Sequence, residues 1–449
     1  MSVPGNGTDG ALRHSREVLA ELFGPPADRE FAVRYWDGTV EQGRRAPAPF
    51  TFRIERPGAL RRMLLPPNEL SIIEAYLSGD VDIEGRVEDA ATLGDAINKR
   101  VRSAGTLASI VKHVLALPKS EAVKAVRAAR AEHSVERVGE QHEKERDRAA
   151  VQYHYDVGND FYSLWLDERM VYSCAYFETP DRSLDEAQLA KLELVCRKLR
   201  LRPGERLLDV GCGWGALIMH AARQHGVTAL GITLSENQAK LARERIDAAG
   251  LADRVKVEIR DYRDIAHPES FDKISSIGMV EHVGIAKLPV YFAALYRALA
   301  PRGLLLNHGI VSLGAARPKS WRNRLEARLW RRNAFIEQYV FPDGQLVPLH
   351  AVIGAAEGAG FETRDAESLR EHYAMTLRHW TSRLTTNAAR AIAIAGERRY
   401  RVWRLYMAAS AHAFASGSIN IVQTLLSKRD AEGTAALPLT RADIYRGGS

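Results

Sequence analysis

Residues 207–215 read Leu-Leu-Asp-Val-Gly-Cys-Gly-Trp-Gly, an apolar strand that runs into an acid and then into three glycines at alternate positions. Glycine adopts positive φ without strain and lets a ligand approach the backbone closely. A strand that leads through such a loop into a helix is typical of a nucleotide-binding cradle at the carboxyl edge of a parallel sheet. The spacing differs from the dinucleotide pattern G-x-G-x-x-G, and an ordinary turn between a strand and a helix is the plain alternative.

Further short apolar strands are predicted downstream of this loop, separated by helical patterns. They are predicted at 228–235, 255–259, 273–278 and 303–307. Strands that alternate with helices of about 10–15 residues imply a parallel sheet whose ligands bind above the carboxyl ends of the strands. We therefore expect a doubly wound α/β enzyme domain, in which Ser235 caps the helix after the second strand.

Composition is that of an ordinary globular enzyme. With 449 residues, 46% hydrophobic and 27% charged, the chain can bury a large core and form more than one domain. No run approaches the ~18 apolar residues of a membrane span, and no zinc-finger, RNP or basic-region pattern indicates nucleic acid. Cys174, Cys196 and Cys212 fit no disulfide or metal-ligand spacing, so we predict a reducing cytosol and no metal site.

Composition shifts divide the chain into five segments. We expect a loose lead at 1–24, a small α+β domain at 25–100, a charged helical linker at 101–150, a catalytic domain at 151–430 and a loosely held tail at 431–449.

Five stretches besides the glycine loop narrow the function. They read Gln152-Tyr-His-Tyr-Asp-Val-Gly-Asn-Asp-Phe-Tyr162, Met170-Val-Tyr-Ser-Cys-Ala-Tyr-Phe177, Met279-Val-Glu-His-Val-Gly284, Asn307-His-Gly-Ile310 and His372-Tyr-Ala-Met-Thr-Leu-Arg-His-Trp380. The loop resembles motif I of S-adenosylmethionine (SAM) methyltransferases. Together the stretches closely resemble, in order and spacing, the signature of the cyclopropane fatty acid synthase family, which includes the mycolic acid cyclopropane synthases. The resemblance covers about residues 150–428, and the N-terminal domain resembles that of the longer, phospholipid-acting members.

The resemblance implies a Rossmann-like class I SAM methyltransferase fold and two sets of site residues. The implied SAM site consists of Tyr172, Ser173, Asp209, Gly211, Gly213, Gly215, Thr233, Gln238, Tyr262 and Arg263. The residues that match the bicarbonate-binding set of the family are Cys174, Glu281, His308, Ile310 and Tyr373. The main departure is the stretch 311–334, which is longer and more basic than in the compact bacterial synthases.

The chemistry implied by this resemblance explains why these residue types are needed. A cis alkene is a weak nucleophile, so the enzyme must align it with the methyl group of SAM and exclude water. Methyl transfer leaves a carbocation, which aromatic faces can stabilise, and a base must then remove a proton so that the ring closes. Bicarbonate, held by hydrogen-bond donors and passing its proton to Glu281, can serve as that base.

Each residue of the second set also has an ordinary structural interpretation. Cys174 could be a small buried hydrophobe, and Glu281 could stabilise a helix N-terminus. His308 could be a core histidine, and Tyr373 could be a core aromatic with a polar tip. The occurrence of all of them within family motifs, in the right order, favours the site.

Several functions remain open at this stage. The resemblance implies cyclopropanation of unsaturated phospholipid acyl chains by a cytoplasmic enzyme that attaches peripherally to the membrane. The same carbocation can instead lose a proton from the chain and leave a methylene branch, which a separate reductase would convert to a methyl branch. An O- or N-methyltransferase for small metabolites and a non-catalytic lipid-binding module are further alternatives, and a homodimer is compatible with each.

Residues 317–332 predict how such an enzyme would reach a lipid. Trp321, Leu325 and Leu329 recur at helical spacing, and seven of the sixteen residues are Arg or Lys. This pattern is typical of a helix that lies in the interface of an anionic membrane. A solvated basic helix packed on its own domain is the alternative.

Overall fold

The structure, a computed structural model, describes residues 6–94, 103–119, 142–155, 157–265, 268–313, 334–341, 343–435 and 437–445. The described residues fall into two compact units. The first is drawn from Met1–Ser134, Ala316–Val340 and Gly396–His412, and the second from Val135–Ala315, Phe341–Ala395 and Ala413–Ser449.

The first unit contains a small sheet of the order β2-β1-β3-β4. Its strands are β1 (Ala32–Arg34), β2 (Val40–Glu41), β3 (Phe50–Ile54) and β4 (Val81–Gly85). In β3 the side chains of Phe50, Phe52 and Ile54 alternate into the core, as expected for a strand with one covered face. The Phe31 ring stacks on that of Phe50 at 5.0 Å.

The N-terminal segment differs from the predicted loose lead, because most of it forms a helix. The helices of this part of the unit are α1 (Asn6–Phe23), α2 (Ala59–Leu64), α3 (Glu69–Leu77), α4 (Val87–Ala90) and α5 (Ala104–Ala116). Residues Ala11, Ser15, Val18, Leu19 and Leu22 of α1 are all buried. Their spacing of three and four residues is that of one helix face, which packs into the core.

The second unit contains an eight-stranded sheet whose main path is β11-β12-β9-β8-β5-β6-β7. Its strands are β5 (Arg206–Val210), β6 (Thr228–Thr233), β7 (Val255–Ile259), β8 (Phe271–Ile277), β9 (Leu299–Ser312), β10 (Val347–Pro348), β11 (Glu362–Ser368) and β12 (Ile419–Ser427). The first five run parallel, as predicted, and β12 and β11 add an antiparallel edge. The predicted fold class is therefore confirmed.

Both faces of this sheet are covered, which explains why its strands read as continuous apolar runs. Alternate residues of one strand enter different cores: Leu304 and Leu306 belong to one apolar cluster, and Leu305 belongs to the other. Leu207 and Leu208 of β5 divide in the same way.

The remaining helices lie before, between and after the strands of the large sheet. They are α6 (Lys144–Tyr155), α7 (Asn159–Tyr162), α8 (Leu184–Leu199), α9 (Ala216–His225), α10 (Glu236–Ala248), α11 (Val280–Val283), α12 (Leu288–Ala298), α13 (Ala334–Tyr339), α14 (Leu349–Gly358), α15 (Arg370–Thr386), α16 (Ala388–Ala395), α17 (Glu397–Ala415) and α18 (Ala442–Tyr445). Ser235 caps α10 by accepting from the amide of Gln238, as predicted.

The predicted catalytic segment 151–430 does not form one continuous unit, because 396–412 groups with the first unit. Within that unit Arg401 donates to Asp82 at 3.0 Å, and Arg404 donates to the Tyr76 hydroxyl at 3.2 Å. These partners lie more than 300 residues apart in sequence, so no local pattern could have predicted their pairing.

The tail is held more firmly than predicted. Ile444 of α18 is fully buried, and Asp443 pairs with Arg200 at 2.7 Å. The predicted membrane-surface segment 317–332 lies outside the described residues. Among the helices of the described residues, none combines the length and the apolar character that a membrane crossing requires.

Candidate active site

The glycine loop joins β5 to α9 and brings the backbone close to its neighbours. Gly211, Gly213 and Gly215 all have positive φ, at 81°, 53° and 82°. A Cβ atom on Gly211 would lie 2.7 Å from the Met279 sulfur, so a side chain at this position would have to displace Met279. The loop therefore offers bare backbone at the carboxyl end of the central strand, where a nucleotide-like ligand can approach.

Asp209 lies under this loop and bonds to the neighbouring strand. Its Oδ1 accepts from the Ser275 hydroxyl at 2.7 Å, and burial raises the pKa of the carboxyl to about 6. The structure thus places this predicted SAM residue where it supports the junction of β5 and β8.

The end of β6 carries a linked group of polar side chains. The Thr233 hydroxyl donates to Gln238 Oε1 at 2.8 Å. Tyr155 also forms a side-chain hydrogen bond with Gln238, and burial raises the pKa of this phenol to about 12. Thr233 and Gln238, both predicted in the SAM site, are therefore bonded to each other. Tyr155 is a further partner of Gln238 that the sequence did not predict.

Arg263, a residue of the implied SAM site that follows the end of β7, is held by the carboxylates of Asp261 and Asp147. Its guanidinium donates to both oxygens of Asp261 at 2.7 Å and to Asp147 at 2.9 Å, which raises its pKa. The neighbouring Tyr262 is buried, and its ring meets that of Tyr291 edge-on at 5.3 Å. Arg263 thus joins α6 to this strand end, and Tyr262 lines the core beside it.

Tyr172 lies in a cluster of aromatic side chains. Its ring centroid is 5.3 Å from both Trp165 and Trp380, 5.6 Å from Tyr162 and 5.7 Å from His154. Such edge and offset contacts fix the orientation of an aromatic ring.

The next residue, Ser173, is bound by two side chains of α8. Its hydroxyl accepts from Lys191 Nζ and its carbonyl accepts from Gln188 Nε2, both at 2.9 Å. Lys191 is almost fully buried, and burial lowers its pKa to about 8 although Asp167 opposes the shift. Its charge also acts on Cys174 and Asp209, so this lysine lies between both predicted sets of residues.

Sequence reasoning missed Gln188 and Lys191, although a signal was present. The two residues fall on the same stripe of α8 as the buried Leu184, Ala187 and Leu192. Polar residues on an apolar stripe need buried partners, and they therefore indicate a polar site under the helix.

Cys174 is fully buried and inert in this setting. Its thiol approaches the Leu369 carbonyl at 3.7 Å, and burial raises its pKa. The following amide, of Ala175, donates to the Thr376 hydroxyl at 3.1 Å. The segment is thereby fixed to α15, the helix that carries Tyr373.

Glu281 and Ile310 form a direct contact between the segment after β8 and strand β9. The Ile310 amide donates to Glu281 Oε1 at 2.6 Å. Burial raises the pKa of the Glu281 carboxyl to about 7. Ile310 belongs to the predicted bicarbonate-binding set. Its amide already donates to Glu281 and thereby orients the Glu281 carboxylate.

His308, two residues before Ile310, is buried, and burial lowers its pKa well below the usual value. The ring is therefore neutral. The Gln423 amide nitrogen of β12 lies 3.3 Å from His308 Nδ1. When this amide donates to Nδ1, the proton of the neutral ring resides on Nε2, which becomes a hydrogen-bond donor.

Tyr373 of α15 is buried beside two further aromatic side chains. Its ring centroid lies 5.9 Å from Trp380 and 4.7 Å from Phe414. Because Tyr172 also contacts Trp380, one tryptophan links the predicted SAM set to the predicted anion set.

A mainly parallel sheet with a glycine loop after its first strand, and with polar groups at the neighbouring strand ends, defines a class I SAM-dependent methyltransferase. The chain belongs to the mycolic acid cyclopropane synthetase family, whose sequence profile matches residues 142–424. The predicted family membership and enzyme class are thereby confirmed. Residues 18–113 match a second family, described as a domain of unknown function.

Individual relatives match most or all of their own length. A probable fatty acid methyltransferase from Pseudomonas putida is 39% identical over 436 residues, which cover 96% of this chain and 100% of that protein. Another probable fatty acid methyltransferase, from Mycobacterium tuberculosis, is 36% identical over 437 residues, with 95% and 98% covered. The solved structure of the mycolic acid cyclopropane synthase CmaA1 complexed with SAH and CTAB is 36% identical, with a TM-score of 0.57 over 63% of this chain and 98% of that chain.

Proposed function

We propose that this enzyme transfers the methyl group of SAM to the cis double bond of unsaturated acyl chains in membrane phospholipids, so that a cyclopropane ring forms. The names of the two full-length relatives support an acyl chain as the substrate. The solved cyclopropane synthase leaves more than a third of this chain unmatched. This difference supports a substrate other than mycolic acid, because the N-terminal domain resembles that of the phospholipid-acting members.

The observation that carries the proposal concerns one buried polar atom on each of two predicted anion-binding residues, Glu281 after β8 and His308 on β9. Glu281 Oε2 and His308 Nε2 have no hydrogen-bond partner among the described residues. An unpaired buried polar atom costs free energy, and a bound water or ligand can supply the missing partner. One of them accepts and the other donates, a combination that suits an anion which still carries a proton.

Bicarbonate fits this pair, and when bound it would supply a base for the proton of the new methyl group. His308 would hold the anion through Nε2–H, with Gln423 fixing the tautomer. Glu281 would accept the proton of the anion, a task suited to a carboxyl whose pKa lies near neutrality. The glycine loop, Ser173 and the group around Gln238 would hold SAM, which supplies the methyl group.

Aromatic side chains would stabilise the positive charge that develops on the acyl chain. Tyr172 and Tyr373 are the candidates that we favour, because both rings contact Trp380. Tyr176 and Phe177, which each stack on a histidine of α15, are the other aromatic candidates.

The closest alternative product is a methylene branch, since the same carbocation leads to it. A small-molecule O- or N-methyltransferase is disfavoured, because its reaction does not require the two buried atoms, Glu281 Oε2 and His308 Nε2, to bind an anion. A non-catalytic lipid-binding module is disfavoured by the intact glycine loop, whose three glycines all keep positive φ.

The product should be a cyclopropane when the full chain is incubated with SAM, bicarbonate and vesicles of an oleoyl phospholipid. Proton NMR of the extracted lipid distinguishes the products, which have the same mass. Cyclopropane protons resonate far upfield, whereas a methylene branch gives terminal =CH2 signals that are distinct from the vinylic CH signals of the oleoyl substrate. Signals of the second kind would identify the methylene product, and methylation of added small amines or alcohols without any change in the lipid would overturn the proposal.

We further propose that the enzyme works in the cytoplasm and attaches to anionic membranes through residues 317–332. Reversing Arg324, Arg328 and Arg331 to Glu should weaken binding to anionic vesicles at low salt by at least about tenfold, since each basic residue near such a surface contributes about 1 kcal/mol. Turnover on vesicles should fall in parallel, whereas activity on detergent-dispersed lipid should change much less. Sedimentation with vesicles measures the binding.

A second triple variant controls for the change in net charge. Arg223, Lys240 and Lys256 are exposed on the second unit, and their reversal to Glu alters the charge equally. Equal loss of vesicle binding in both triple variants would show that net charge, and not segment 317–332, attracts the enzyme to the membrane.

A further inference from the structure

Helices α8 and α9 bring together four side chains that the methyltransferase chemistry does not use. Glu193 and Cys196 lie three residues apart on α8, and His220 and His225 lie on α9. No local sequence spacing joins these two pairs, and for this reason the sequence predicted no metal site.

Both histidines lie close to Glu193, and both also lie close to Cys196. Glu193 Oε2 lies 3.1 Å from Nε2 of His220 and 3.1 Å from Nε2 of His225. Ligand atoms of Cys196, His220 and His225 all lie within 4.8 Å of one another. We propose that these four residues bind a tetrahedral divalent metal ion, with Zn²⁺ as the best match.

The spacing suits tetrahedral coordination. Zn–N and Zn–O bonds of about 2.0–2.1 Å and Zn–S bonds of about 2.3 Å place neighbouring ligands about 3.4–3.6 Å apart. The Glu193–His distances are already close to this range. Among Cys196, His220 and His225 the most widely spaced ligand atoms would need to approach by about 1 Å, and the partly exposed carboxylate of Glu193 would have to move toward Cys196.

The ligand types also suit this ion, since imidazole, thiolate and carboxylate are the ordinary ligands of Zn²⁺. The Cys196 thiol would lose its proton to solvent as the Zn–S bond forms. One thiolate and one carboxylate then neutralise the two positive charges, which makes a partly buried site tolerable. Arg169 acts electrostatically on His220, and Arg197 lies 3.7 Å from the other oxygen of Glu193, which leaves Oε2 available to the site.

The proposed ligands are buried on the side of Cys196 and partly exposed on the side of Glu193. Cys196 belongs to the apolar core, whereas the side chains of His225 and Glu193 are 19% and 35% exposed. A metal ion can therefore enter from the side of Glu193. A carboxylate that merely pairs with two histidines is the competing explanation, and it requires no contribution from Cys196.

A metal ion here would connect the two helices that flank the cofactor loop. Helix α8 carries Lys191 and Gln188, which hold Ser173, and α9 starts immediately after Gly215. An ion that binds only the folded protein stabilises it, by an amount that grows with the logarithm of the free ion concentration above its Kd. We therefore assign the site a structural role, separate from methyl transfer.

The test uses the untagged full chain, with Zn²⁺ and the spectroscopic substitute Co²⁺ as probes. Titration should give one tightly bound ion per chain, a rise in the midpoint of thermal unfolding, and a sulfur-to-cobalt charge-transfer band with intense visible transitions typical of tetrahedral Co²⁺. His225→Gln should weaken Zn²⁺ binding at least about tenfold. Cys196→Ser should remove the charge-transfer band.

His350→Gln serves as the matched control, because His350 is exposed and lies outside the cluster. If Cys196→Ser fails to fold, the partly exposed His225 still decides the question. Absence of stoichiometric Zn²⁺ and Co²⁺ binding by the wild type would overturn the proposal. Equal affinities of His225→Gln and His350→Gln would overturn it as well.

Discussion

Replacing Gly211 with valine is expected to abolish SAM binding. The glycine has a φ of 81°, and a Cβ there would lie 2.7 Å from the Met279 sulfur and 2.9 Å from Met279 Cγ. A β-branched side chain is strained at positive φ, and it would also fill the space through which a cofactor approaches the backbone. Isothermal titration calorimetry with SAM and with SAH measures the effect.

Gly204→Val is the matched control for backbone strain. Gly204 has a similar φ of 85°, but a Cβ there would meet nothing within 4 Å. This variant should lose some stability and keep its affinity for SAM. Unchanged SAM affinity in a folded Gly211→Val protein would show that the cofactor binds elsewhere. Recovery of binding in a Gly211→Val, Met279→Ala double variant would assign the defect to Met279 rather than to the cofactor's own space.

The parallel half of the large sheet could be predicted from sequence because each of its strands is a short apolar run ending in glycine or polar residues. The antiparallel addition was not predicted, although β12 is equally apolar, because nothing in its sequence indicates its neighbour β9. The helix α1 was missed for another reason. Its apolar stripe is interrupted by Ser15, which is nevertheless fully buried.

The candidate site likewise contains residues that the sequence could predict and partners that it could not. Residues such as Thr233 and Glu281 could be placed in advance, because the ends of parallel strands meet at one edge of the sheet. The hydrogen-bond partners of the site residues could not be placed from sequence. Gln423 lies 115 residues beyond His308 and reaches it only through the pairing of β12 with β9. The cluster of Glu193, Cys196 and the two α9 histidines likewise depends on helix packing, to which sequence spacing gives no guide.

Glu281→Gln should lower turnover by a factor on the order of 10² or more while SAM affinity stays nearly unchanged, since this is the usual size of lost acid–base assistance. Glutamine keeps an oxygen that can accept from the Ile310 amide, so the local backbone contact survives. The amide cannot take up a proton from an anion, however, and only that function is removed. Single-turnover methylation of oleoyl phospholipid measures the rate, with bicarbonate present or depleted.

The pH dependence follows from the raised pKa of the same carboxyl. Only the ionised form can accept a proton, so wild-type turnover should decline as pH falls through about 7. The concentration of bicarbonate must be kept constant across the series, because its own protonation would otherwise produce a similar decline. The residual activity of Glu281→Gln should lack this inflection. A wild-type rate that is indifferent to bicarbonate, together with near-full activity of the variant, would contradict the assignment of the base.

Stability should change in the opposite direction from activity. A carboxyl with a pKa of about 7 in the folded state and 4.5 in the unfolded state binds its proton more tightly when folded. Its stabilising contribution is therefore complete below pH 4.5 and is lost as pH rises through 7. Above pH 7 the wild type carries a buried carboxylate that Glu281→Gln lacks, so the variant should unfold at a higher temperature there, and the difference should vanish in acid. Calorimetric melting of both proteins across this range tests the sign. A variant that is less stable at pH 8 would mean that Glu281 holds the fold together, and its loss of activity could no longer be attributed to proton transfer.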